Sequence, residues 1–99
     1  KFSIVIENES IPNWITEKLI DSLATRTVPL YWGSPNVGDY FDCKGIIQVT
    51  SFPDLIEKLN TVSPDFYESS TKSIEYNYEE CLKYDDLFRR VDEELDLVV

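Results

Sequence analysis

Thr16, Glu17 and Lys18 stand side by side within NWITEKLIDSL, residues 13–23. A hydroxyl, a carboxylate and an ammonium group at one point of a chain suit a nucleotide ligand. Lys18 offers a mobile positive charge to a diphosphate. The Glu17 carboxylate can accept two hydrogen bonds, the number a vicinal diol such as a ribose donates. Thr16 can cap a helix N-terminus, whose free N–H groups attract anions. Trp14 adds a flat face for stacking, and Asn8, upstream, adds a donor and an acceptor. A plainer reading makes Glu17 and Lys18 part of a solvated outer helix face with Asp21 and Ser22. Residue types alone leave both readings open.

Other chemistries lack their parts. The chain has no His, so a His general base and a Ser–His pair are excluded. It has no G-x-G-x-x-G, no Walker-type loop and no H-E-x-x-H. Glu7-Asn8-Glu9 is the nearest approach to a D-x-D pair, and it reads as a strand-ending loop. Cys43 and Cys81 form no CxxC; they read as two small buried thiols rather than zinc ligands or a disulfide framework.

The net charge of the 99 residues is −10, and the acid is unevenly spread. Residues 1–61 hold 8 acidic and 5 basic residues, a net of −3; residues 62–99 hold 11 and 4, a net of −7. Such a surface repels phosphate backbones, which argues against nucleic acid and anionic membranes as partners. A phosphate ligand needs a local positive spot, and helix N-termini and Lys18 are the sources at hand. Asp85-Asp86 and Asp92-Glu93-Glu94 read as solvated helix surface or caps. No apolar run reaches the roughly 20 residues of a membrane span. The chain starts at Lys1 and contains no Met, so a piece of a longer protein is expected.

The elements that must position these groups follow from patterning. FSIVI, residues 2–6, reads as a buried strand ended by the polar run 7–10. Asn13 and Thr16 compete as N-cap of a helix whose face is Ile15, Leu19, Ile20, Leu23 and Ala24, ending near residues 25–27. VPLYW, residues 28–32, is a second strand, with Pro29 near its start. Residues 33–36, GSPN, make a turn, a short helical turn covers 37–41, and GIIQV, 45–49, is a third strand. Ser51 with Asp54 forms a variant capping box for a helix bearing Leu55, Ile56, Leu59 and Val62. Ser63-Pro64 starts a long helix with Tyr67, Ile74, Tyr78 and Cys81 on one face. A last helix, about 86–96, presents Leu87, Phe88, Val91 and Leu95.

Short apolar strands alternating with helices predict an α/β fold: a partial doubly wound, Rossmann-like parallel sheet covered on both faces. Residues 1–62 form its core, and the acidic helices of 63–99 pack on the same domain. Ligands of such sheets bind outside the carboxyl ends of the strands. Here those ends are residues 7–10 and 33–36, and a right-handed crossover brings both loops to the rim where the helix bearing Thr16, Glu17 and Lys18 begins.

Three segments in this order carry a family resemblance: KFSIVIENES, then WITEKLIDSL, then TVPLYWGSPN. They resemble the C-terminal donor-binding region of the α-1,3/4-fucosyltransferases, glycosyltransferase family 10. The family pattern is K-F-x-(I/L)-x-(F/I)-E-N-S, a spacer, Y-x-(T/S)-E-K-(L/I), then G-T-(V/I)-P-(I/V)-Y-x-G and often P-N. The likeness covers about residues 1–50; SFPDL matches more loosely, and 63–99 only in being helical and acidic.

The resemblance implies the C-terminal half of a GT-B glycosyltransferase, with GDP-fucose as donor and inverting transfer to an acceptor glycan held by a missing N-terminal domain. It implies no metal requirement and no cofactor besides the donor substrate. By match to the motif, Glu17 holds the ribose hydroxyls, Lys18 the diphosphate, Asn8 and Trp14 line the pocket, and Thr16 caps the helix. Gly33 and Asn36 lie near the sugar or diphosphate. A bacterial or viral parent implies a cytoplasmic location, a eukaryotic one the Golgi lumen. Trp14 stands where the family has Tyr, which keeps stacking and loses a hydroxyl. Arg26 stands where the family has Gly, so this residue either takes a left-handed conformation or ends the helix differently. The family's general base, a Glu, and a phosphate-binding Arg lie upstream of this chain, so no catalytic residue is expected within it. Two other readings remain: a glycosyltransferase using another nucleotide sugar, and a non-catalytic α/β module that binds a partner. An incomplete sheet also leads us to expect self-association through an exposed strand edge.

Overall fold

The computed structural model describes the backbone of residues 1–95 and the side chains of residues 1–84. Three parallel strands, β1 (Phe2–Ile6), β2 (Val28–Trp32) and β3 (Ile47–Gln48), lie in the order β1-β2-β3. Phe2 pairs with Val28 and Ile6 with Trp32; Leu30 pairs with Ile47. β2 is central, and its first four residues are all buried, as a continuous apolar run predicts for a strand covered on both faces. β3 is shorter than the expected 45–49. Gly45 belongs instead to a 3₁₀ turn, Cys43–Gly45, capped by Asp42. Val49 still donates its N–H to Tyr31 O at 2.8 Å.

Helix α1 (Glu17–Ala24) runs back along one face of the sheet. Thr16, not Asn13, is its N-cap, with Oγ1 accepting from the Lys18 N–H. Asn13 instead sits in a tight turn in which the Trp14 N–H donates to Ile11 O at 3.2 Å. Pro12 occupies the second position and Asn13, at φ 65°, the third, the residue pattern of a type II turn. Leu19, Ile20 and Leu23 of α1 are buried against Val5, Tyr31, Phe41 and Cys81. Each fully buried side chain of this kind contributes about 2 kcal/mol. The other face of the sheet packs Val28, Leu30 and Val49 against Ile74, with Leu55, Val62, Phe66 and Tyr67 at its margin.

Helix α2 (Phe52–Leu59) starts as expected, with Ser51 Oγ accepting from the Asp54 N–H at 3.1 Å. The Asp54 carboxylate reaches back to the Thr50 N–H at 2.9 Å, one residue beyond the usual capping-box partner. Helix α3 (Pro64–Ser69) is capped by Ser63 with Pro64 in its first turn.

Several expectations are corrected. The long helix from residue 63 and the separate last helix about 86–96 are replaced by short α3 and one continuous helix α4 (Thr71–Leu95). The break falls at Ser70, where the α3 cap N–H bonds Tyr67 O. Asp85-Asp86 does not interrupt the backbone of α4. The side chains of Leu87, Phe88, Val91 and Leu95 lie outside the described residues.

β1 is not covered on both faces. It is an edge strand with Ile4 and Ile6 51% and 40% exposed, and α2, none of whose residues is fully buried, leaves a hollow between Leu59 and the β1 residues Phe2, Ser3 and Ile4. The two cysteines are not both buried either: Cys81 is, but Cys43 lies at the surface.

Candidate functional site

The polar centre of the molecule is a residue that the sequence reading places in a strand-ending loop and gives no role. Glu7, the first residue after β1, is only 6% exposed. Its Oε2 accepts the Thr16 N–H at 2.8 Å and the Tyr31 hydroxyl at 3.1 Å; its Oε1 accepts the Thr16 hydroxyl at 2.5 Å. Tyr31 in turn accepts the Ser34 N–H at 3.2 Å. Burial pushes the Tyr31 phenol well above its ordinary range, and the Glu7 carboxylate adds to the effect. The phenol therefore stays a neutral donor. Gly33 makes room for this unit: a Cβ there would lie 2.5 Å from both Glu7 Cγ and the Tyr31 hydroxyl.

A second set of bonds ties the two strand-exit loops together. The Asn13 N–H donates to Asn36 Oδ1 at 2.8 Å and to Ser34 Oγ at 3.1 Å. Asn36 Nδ2 donates to Asn13 Oδ1 at 2.9 Å and to Asp39 Oδ2 at 3.0 Å, and the Ser34 hydroxyl donates to Asn36 Oδ1 at 2.7 Å. A primary amide has two donors and two lone pairs, so the Asn36 side chain is fully engaged within the protein. Tyr40 also donates to Asn13 Oδ1 at 2.5 Å, and Ser10 to Gly33 O at 2.8 Å.

These two clamps hold the first turn of α1 at the carboxyl rim of the sheet. Lys18 Nζ lies 3.2 Å from Asn8 Oδ1 and 3.4 Å from Ile6 O, at the exit of β1. Glu17 is exposed and has no side-chain partner among the described residues. Trp14 is 46% exposed. The helix end itself is partly satisfied: Thr16 Oγ1 accepts from the Lys18 N–H at 3.3 Å and Thr16 O from the Leu19 N–H at 3.2 Å. With the Glu7 carboxylate already against this end, positive charge for an anion at the rim comes chiefly from Lys18, the only cation between Lys1 and Arg26 in the chain.

Two hollows open near the rim. One, of about 220 Å³, runs between Ser10, the β2 exit at residues 31–35 and residues 48–50. The other, of about 170 Å³, is bounded by Asn13, Ile15, Ile20, Tyr40, Phe41 and Tyr84. Of the residues that the sequence singled out, Asn8 and Lys18 meet at the β1 exit, where Thr16 bonds Glu7; Glu17 lies between Thr16 and Lys18 in the chain, with its side chain exposed. Gly33 and Asn36 lie on the neighbouring β2 exit, joined to the first group through Glu7 and Asn13. No group of three or more His, Cys, Asp and Glu among the described residues is placed to hold a metal ion.

The family description "Glycosyltransferase family 10 (fucosyltransferase) C-term" matches residues 1–76, from β1 into α4. The chain belongs to glycosyltransferase family 10. It is 36% identical over 62 residues to the alpha-(1,3)-fucosyltransferase FucT of Helicobacter pylori, covering 63% of this chain and 13% of that protein. It is 39% identical over 67 residues to alpha-(1,3)-fucosyltransferase B of Drosophila melanogaster, covering 64% and 15%. A solved structure, "Crystal Structure of alpha1,3-Fucosyltransferase", superposes with a TM-score of 0.58 at 29% identity, over 79% of this chain and 22% of that one. The chain thus spans about one seventh of these curated relatives.

Within this family frame, the Arg26 departure resolves in favour of the left-handed conformation, at φ 55°. The neighbouring contacts hold it there. Tyr67 donates to Arg26 O at 2.7 Å, Arg26 Nε pairs with Glu75 at 2.6 Å, and the guanidinium lies 3.8 Å from the Tyr78 ring centroid. Glu75 holds the Arg26 guanidinium above its ordinary pKa. The end of α1 is thereby fastened to α3 and α4 rather than simply terminated by glycine.

Proposed function

We propose that this chain is the donor-binding portion of an inverting fucosyltransferase that uses GDP-fucose and transfers fucose to a hydroxyl of an acceptor glycan. The observation that carries the reading is the meeting of Lys18 Nζ with Asn8 Oδ1 at the β1 exit, one residue from the exposed Glu17, in a family 10 chain. In this reading Lys18 neutralises charge on the departing diphosphate, the electrostatic share of catalysis. Glu17, with no partner of its own among the described residues, accepts the ribose hydroxyls. The exposed indole of Trp14 stacks on the donor. Asn8 holds the Lys18 ammonium in reach of the phosphates. The acceptor hydroxyl loses its proton to a carboxylate outside this chain. No metal is required.

A thermal-shift competition among GDP, UDP and ADP tests the nucleotide. Selective stabilisation by GDP supports the reading, equal stabilisation by all three favours another nucleotide sugar, and none by any contradicts donor binding.

A specific observation supports a second reading, a partner-binding module. The β1 edge and α2 together expose Ile4, Ile6, Phe52, Ile56 and Leu59, and an all-parallel sheet is rarely left uncovered. Concentration-dependent dimerisation in sedimentation, without any nucleotide shift, would favour it.

A further inference from the structure

We propose that Glu7 is the positioning residue of the donor rim: its buried carboxylate sets the start of α1 and so presents Lys18 and Glu17, without touching the ligand. The inference rests on the donor-binding reading above and adds a residue to it.

A carboxylate buried to 6% exposure is costly unless its charge is compensated. Among the described residues no cation is paired with Glu7; three hydrogen-bond donors serve instead, and two of them belong to Thr16. Thr16 is the N-cap of α1. Its N–H and hydroxyl are both directed to Glu7, which leaves Oγ1 lone pairs turned to the Lys18 N–H. The hydroxyl is thus a donor to Glu7 and an acceptor for the helix at once. That double use fixes the rotamer of Thr16 and the direction in which the next two side chains leave the helix. The third donor, Tyr31, anchors Glu7 to the central strand, and the missing Cβ of Gly33 lets the three side chains meet. The path from β2 to Lys18 is therefore a chain of short contacts: Tyr31, Glu7, Thr16, Lys18.

The test combines hydrogen exchange at amides 16–20, read by NMR, with GDP affinity by calorimetry, on the 99-residue chain. Glu7→Gln keeps the shape but replaces an acceptor with a donor facing Thr16 or Tyr31. Exchange at amides 16–20 is expected to rise about tenfold while the β2 amides keep their protection, and the GDP dissociation constant to rise about tenfold. The double variant with Lys18→Ala is expected to lose less affinity than the product of the two single losses, because both act through one helix end. Thr16→Ser, which keeps the hydroxyl, is expected to match the wild type, and Thr16→Val to behave like Glu7→Gln; this pair carries the test if Glu7→Gln fails to fold. Lowered melting with unchanged exchange at 16–20 and unchanged GDP affinity would overturn the proposal. If the wild type binds no GDP, the donor reading fails by itself, and the exchange arm still upholds or overturns the role of Glu7.

Discussion

Thr16 and Glu7 meet twice, N–H to Oε2 at 2.8 Å and hydroxyl to Oε1 at 2.5 Å. Eight residues of loop separate them in sequence, so this pair closes the β1 exit loop onto the helix that follows. The polar rim of the sheet is built around that closure, and its stability responds to changes that disturb it.

Gly33→Ala is the sharpest of these changes. The new methyl would overlap Glu7 and Tyr31 at 2.5 Å, inside a packed and hydrogen-bonded unit. Overpacking of this kind costs about 1–3 kcal/mol. Urea denaturation should show a lowered midpoint with an unchanged slope; a midpoint equal to wild type would mean that the unit relaxes freely.

Asn36→Ala should release the loop 10–14 without unfolding the sheet. It removes two donors and an acceptor shared by Asn13, Ser34 and Asp39. Asn13 then loses the contacts that offset its left-handed backbone, a conformation that costs about 1–2 kcal/mol in a non-glycine residue. Limited proteolysis should cut at residues 10–14 faster than in wild type, by about tenfold or more. Unchanged cleavage would show that the turn holds by itself.

The sequence made part of this site readable. The caps at Thr16, Ser51 and Ser63 follow from local hydrogen-bonding chemistry, and all three form. Choosing Thr16 over Asn13 was not possible locally, because Asn13 is set by Asn36 and Ser34, more than 20 residues away. Glu7 was hidden for the same reason. A Glu after a strand reads as solvated loop, and only the positions of Tyr31 and Thr16 make it a buried acceptor. The edge position of β1 was equally invisible, since Ile4 and Ile6 carry the same apolar signal whether or not a neighbour covers them. The single helix α4 was missed because an acidic pair such as Asp85-Asp86 suits either a helix interior or a cap, and the local pattern does not say which.

Acidification should weaken the junction between the Cys43–Gly45 turn and α4. The Lys44 N–H and the Ser73 hydroxyl hold Asp42 below its ordinary carboxylate range. Its folded pKa is thus lower than its unfolded one. Its contribution is present above about pH 4 and is lost as pH falls through the folded value. The stability gap between wild type and Asp42→Asn should therefore shrink between about pH 5 and pH 2. A gap constant across that window would show that the Asp42 charge has no part in the junction.

Cys43 should react slowly despite its surface position. Partial burial of its sulfur, with the Asp42 and Asp39 carboxylates, raises its pKa above the ordinary thiol value, and the thiolate is the reactive form. Alkylation by iodoacetamide at pH 7.5 should be slower than for glutathione, and Asp39→Asn should speed it. Reaction as fast as a free thiol would contradict this reading.

The central claim is that Lys18 at the β1 exit grips the diphosphate of a GDP-linked sugar. Titration of GDP into wild type and Lys18→Ala by calorimetry addresses it directly. One charge-assisted hydrogen bond is worth about 1.5–3 kcal/mol, so the account predicts measurable binding by the wild type and a loss of about tenfold or more in the variant. Equal affinity in both would contradict it.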